Sequence, residues 1–106
     1  ASVDHAGCER LARRAGLGLA RTGSTAHHGS GEIFMAFATG LRQPRGTVSS
    51  TAPMAGRDLD PLFEAVVDAT EESVLNSMLM APTVVGRKGN TLYGLDAEVV
   101  RGLLDP

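Results

Sequence analysis

The chain has no tryptophan, one tyrosine and three phenylalanines, so aromatics make up only 4% of its 106 residues. A core built from it must rest on Leu, Val, Ala and Met. Cys8 is the only cysteine, which rules out an internal disulfide and a thiolate metal cage and fits a reducing compartment. Charge of one sign is lacking too, because 10 Lys plus Arg face 12 Asp plus Glu, leaving −2. That balance gives no long-range field to draw nucleic acid or an anionic membrane. No apolar run approaches the roughly 20 residues that span a bilayer, and no signal-peptide pattern opens the chain. The expected location is the cytoplasm, with periplasm or secretion left open.

What is present suits one domain, or a piece of one, over residues 1–106. Hydrophobic residues reach 42%, too many for a disordered tail. From about His5 to Ala20, Cys8, Leu11, Ala12, Ala15 and Leu19 recur at helical spacing, with Asp4 to cap the start and Gly23 to stop the end. Arg10, Arg13, Arg14 and Arg21 fall mostly on the outer side of this helix and are expected to be a solvated face. Asp60-Pro61 opens a second helix as cap and first residue. Its apolar face comprises Leu59, Phe63, Val66, Val67, Thr70, Val74 and Met78, and it ends near Ala81-Pro82. Thr83–Val85 and Thr91–Tyr93 read as a hairpin around a Gly-containing loop. Asp96 caps a closing helix with Val99, Val100, Leu103 and Leu104 inside.

Between the first two helices lie a loop, Gly23–Gly31, and the run EIFMAFAT, Glu32–Thr39. Its near-continuous apolar character predicts a strand buried on both faces. The stretch 43–58 has no periodicity and is expected to be an irregular loop. These elements define an α/β (α+β) fold. A strand apolar on both faces must have neighbours, and the chain offers only a short hairpin as further sheet. The remaining sheet is therefore expected from another chain or segment.

One polar constellation stands out, HHGSGE at His27–Glu32. Ser30 and Glu32 are two positions apart, so on extended backbone they point the same way. A serine hydroxyl needs a base or polarising partner for acyl transfer, and a glutamate can accept or orient a proton. Gly29 and Gly31 leave room for a backbone or substrate to approach Ser30. On spacing alone, a plain Gly-Ser-Gly turn with a solvated strand end is the better reading. His27 and His28 diverge and read as exposed loop histidines rather than joint ligands of one metal. The nucleophile-elbow and phosphate-loop patterns are both absent.

Three blocks carry a resemblance: ERLARRAGLGLARTGS (Glu9–Ser24), GSGEIFMAFAT (Gly29–Thr39) and LFEAVVDATEESVLNSM (Leu62–Met78). Together with VVGRKGNTLYGL they resemble the L-aminopeptidase/D-esterase family, which includes the β-peptidyl aminopeptidases. The likeness covers nearly the whole chain and is weakest over 43–58. It implies a precursor that cuts itself before a serine, which then serves as nucleophile with its own free amine as base. It also implies a four-layer α-β-β-α sandwich similar to that of ornithine acetyltransferases, and no metal or organic cofactor. The implied partners are the α chain of the same precursor, further αβ pairs in a homo-oligomer, and a small peptide or amide substrate. The family's Gly-Ser-Gly-Asp/Glu motif falls on Gly29, Ser30, Gly31 and Glu32, which makes Ser30 and Glu32 helpers of that nucleophile. The strand that opens with the nucleophile aligns before Ala1, so about 8–10 residues are expected to be missing and the chain alone inactive. Ser2 and Ser24 open no such strand. Two other readings stay open: an acyltransferase of similar fold, which the likeness to ornithine acetyltransferases implies, and a non-catalytic interaction module in which Gly-Ser-Gly-Glu is a turn.

Overall fold

The computed structural model describes residues 1–48 and 50–105; Ser49, within the expected irregular stretch, and Pro106 lie outside the described residues. The described residues form a small α+β structure with three α-helices and a two-stranded sheet. It divides into two compact units, Ala1–Glu71 and Glu72–Pro106.

In the first unit α1 spans His5–Arg21. Asp4 holds extended backbone before it and accepts from the Gly7 N–H at 2.8 Å, the expected cap. The helix closes through Thr22 and Gly23 N–H groups donating to the Leu19 and Ala20 carbonyls at 3.1 and 3.0 Å. Gly23 has φ +98°, a left-handed turn that glycine adopts without steric penalty.

The second helix, α2, spans Asp60–Met80. Its start differs from expectation. Asp60 was expected as an extended cap, yet it is helical (φ −58°, ψ −45°) and continues a 3-10 turn at Gly56–Leu59. That turn delivers Leu59 into the core at 2% exposure, a burial worth about 1.5–3 kcal/mol. Val3 and Val67 are the other buried apolar side chains among the described residues.

The two helices touch backbone to backbone. A Cβ on Gly18 would lie 2.4 Å from the Val67 carbonyl oxygen and 2.7 Å from the Thr70 Cβ. Only glycine permits that approach. Arg10, Arg13 and Arg21 are exposed, as expected of a solvated face, and three of the four arginines also serve this contact. The guanidinium carbons of Arg14 and Arg10 sit 3.9 and 4.9 Å from the Phe63 ring centroid, because an aromatic face attracts a cation. Arg21 reaches Asp68 at 2.7 Å and Glu71 at 3.2 Å, and these carboxylates, Asp68 first, hold it more firmly protonated. Arg13 alone keeps to its own helix, pairing with Glu9.

The buried strand expected at Glu32–Thr39 does not form. The only sheet among the described residues is the hairpin of the second unit, so this segment has no ladder partner. Ile33, Met35 and Phe37 are 93%, 84% and 84% exposed, while Phe34, on the alternate side, is 39% exposed and lies against Gly16. Apolar alternation supplies side chains that fit a sheet, but a strand also needs a neighbour for its N–H and C=O groups.

In the second unit β1, Val84–Val85, pairs antiparallel with β2, Thr91–Leu92, in the register Val84 to Leu92 and Val85 to Thr91. A 3-10 turn at Arg87–Gly89 joins them, with Lys88 at φ +60° and Gly89 at φ +78°. Asp96 accepts from the Glu98 N–H at 2.9 Å and caps α3, Ala97–Leu104. Val99, Leu103 and Leu104 were expected inside but are exposed, as are Leu75, Met78, Leu79 and Met80 of α2. Helical periodicity predicts which face is apolar, not whether anything covers it.

Candidate functional site

Beyond α1 the chain is shaped by local polar groups. Thr25 Oγ1 lies 2.6 Å from His27 Nδ1. Ala26 between them has φ +47°, an uncommon conformation for a residue with a Cβ. The Ser30 N–H then donates to the His27 carbonyl at 2.7 Å, closing a turn that presents Ser30.

The Ser30 hydroxyl donates to Glu32 Oε1. Ser30 and Glu32 are thus brought together as their two-residue spacing predicts. This bond, first, and the residue's own backbone N–H hold the Glu32 carboxyl below the ordinary glutamate range, against a smaller opposing effect of burial. At neutral pH Glu32 is therefore an acceptor-only carboxylate that fixes the direction of the Ser30 hydroxyl. Both side chains are exposed.

Gly29 and Gly31 flank the serine with bare backbone, and no atom beyond their chain neighbours lies within 4 Å of where a Cβ would stand. The approach to Ser30 is open. Glu32 also lines a cavity of about 210 Å³ between Gly16, Leu19 and Ala20 of α1, the loop Ser24–Ala26, and Phe34. Thr25, Gly16 and Phe34 were not singled out in the sequence, because their roles depend on α1 packing beside the loop. A larger cavity, about 390 Å³ and lined by Ala1, Val3, Phe37 and Ala65 among others, has no acidic, basic or thiol side chain. His27 and His28 join no cluster: among the described residues no three His, Cys, Asp or Glu side chains gather to hold a metal. Nor is any helix among them long and apolar enough to cross a membrane.

A carboxylate so placed can orient a hydroxyl or accept its proton. The particular family is identified by comparison. The sequence model of peptidase family S58 matches residues 1–92, and the chain belongs to that family. The chain is 37% identical over 99 residues to the β-peptidyl aminopeptidase BapA of Sphingosinicella microcystinivorans, covering 91% of this chain and 25% of that protein. It is 40% identical over 92 residues to the BapA of Sphingosinicella xenopeptidilytica, covering 82% and 23%. It therefore spans about a quarter of the length of these relatives. The crystal structure of the PH0078 protein from Pyrococcus horikoshii OT3 superposes with a TM-score of 0.76 at 39% identity, over 90% of this chain and 28% of that one.

Proposed function

We propose that this chain is the downstream portion of a serine aminopeptidase or amidohydrolase that releases N-terminal residues from small peptides, amides or esters. The observation that carries the reading is the Ser30–Glu32 hydrogen bond, found in a chain of family S58 whose relatives are named as β-peptidyl aminopeptidases. In this reading the attacking serine comes from polypeptide outside these 106 residues and is freed by self-cleavage of a precursor. Its oxygen adds to the substrate carbonyl while its proton passes to the free amine of the same residue. Ser30, held by Glu32, stands beside the nucleophile and orients it. The leaving amine takes the proton, and water resolves the acyl-enzyme to free acid and regenerated serine. Donors to the oxyanion come from the α chain. No metal or organic cofactor takes part.

The same reading has the α chain complete the sheet beside Glu32–Thr39, giving a four-layer α-β-β-α sandwich that assembles as αβ pairs. The exposed Ile33, Met35 and Phe37 support this arrangement, since such side chains suit a covered sheet face.

The full-length protein tests the proposal. Intact-mass measurement is expected to find a cut that leaves a new N-terminal serine. Ser30→Ala and Glu32→Gln are expected to slow hydrolysis of an aminoacyl p-nitroanilide by about a hundredfold or more. An uncut precursor, or unchanged turnover in both variants, ends the reading and leaves an interaction module. Preferential transfer of the acyl group to an added amine assigns an acyltransferase instead.

A further inference from the structure

We infer that the cavity beside Glu32 is a specificity pocket, which takes an uncharged, apolar side chain of the substrate. The inference rests on the function proposed above and names the substrates that fit it. The Ser30 hydroxyl donates to Glu32, and Glu32 also lines the cavity of about 210 Å³. A substrate whose scissile carbonyl lies at Ser30 therefore has this space one side chain away.

The walls select what enters. Leu19 and Ala20 of α1 present apolar surface, and Phe34 faces them from the following segment. The Phe34 ring reaches the helix because Gly16 has no side chain: a Cβ there would stand 3.3 Å from its Cε2. A dry apolar cavity of about 150 Å³ holds a benzene ring, so this one has room for a side chain as large as phenylalanine's. Of the described residues that line it, Glu32 alone carries charge. An acidic side chain would find no cation there and would be repelled by the Glu32 carboxylate. Apolar walls with one charged group beside them are the common make-up of a ligand pocket. The two side chains that flank a scissile bond, on the acyl side and on the leaving amine, share this chemistry.

The full-length protein decides the matter with two substrate series. Glycyl, phenylalanyl and aspartyl p-nitroanilides vary the acyl side, and dipeptides with a fixed first residue vary the leaving side. In one series the phenylalanine member is expected to exceed the aspartate member in kcat/KM by about tenfold or more. Ala20 is exposed, so Ala20→Leu fills the cavity without entering the core. It is expected to lower kcat/KM for the phenylalanine member of that series about tenfold, with the glycine member within about twofold of wild type. Phe34→Ala widens the cavity and is expected to shift preference toward a naphthylalanine member. The series that responds names the side of the bond that the pocket serves. Equal losses for glycine and phenylalanine members in both series of Ala20→Leu overturn the inference, as does no loss in either. If Phe34→Ala fails to fold, Ala20→Leu carries the decision. Turnover unaffected by Ser30→Ala and Glu32→Gln in the same assays is a different outcome, overturning the proposed function itself.

Discussion

At the scale of residues, Ser30 and Glu32 define what can be titrated. The hydroxyl stabilises the ionised carboxylate and not the protonated one, so the Glu32 pKa is lowered relative to an unfolded chain. By linkage, the stability this bond contributes is fully present above the ordinary glutamate pKa. It is lost as pH falls through the lowered one. NMR titration of the Glu32 side-chain carboxyl is expected to give a midpoint below that of free glutamate. Ser30→Ala removes the largest cause and moves the midpoint up. An unmoved midpoint means that the two side chains do not meet in solution.

At the scale of elements, the α1–α2 contact depends on an absent side chain. Gly18→Ala pushes a methyl group into the Val67 carbonyl, a backbone atom that cannot rotate away. The helices must separate, at a cost of about 1–3 kcal/mol, readable as a lower urea midpoint with unchanged slope. A Gly18→Ala midpoint equal to wild type is incompatible with the close approach. Glycine at Gly18 reads in the sequence only as a weak helix former, because the partner that demands it lies some fifty positions away. The helices, the hairpin and the Asp4 and Asp96 caps were legible, since period and capping are local. So was the pairing of Ser30 with Glu32, which needs only two residues of chain. The arginine stacking on Phe63 was not legible, because it requires two helices in register. Nor was the fate of Glu32–Thr39: the residues declare a preference for burial, but burial is conferred by what lies opposite.

At the scale of the whole chain, apolar surface is the dominant feature. Ile33, Met35 and Phe37 in the first unit, and Met80 and Leu103 in the second, are each at least 80% exposed, and open apolar side chains in such numbers favour association. The 106-residue chain by itself is expected to bind the dye ANS and to scatter light at micromolar concentration. Ile33→Thr, Met35→Thr and Phe37→Thr together are expected to suppress the scattering. Scattering that persists unchanged in the triple variant would place the sticky surface elsewhere.

The loop between Thr39 and Gly56 bears on resistance to cutting. Its ends are fastened independently of its middle: Gly40 packs on the Ala1 carbonyl, and the Met54 N–H donates to the Ser2 carbonyl at 2.7 Å. A trypsin nick after Arg42 or Arg45 therefore severs the covalent path without freeing either stump. The nicked protein should run as two bands on a denaturing gel, yet the two pieces should co-elute from a sizing column.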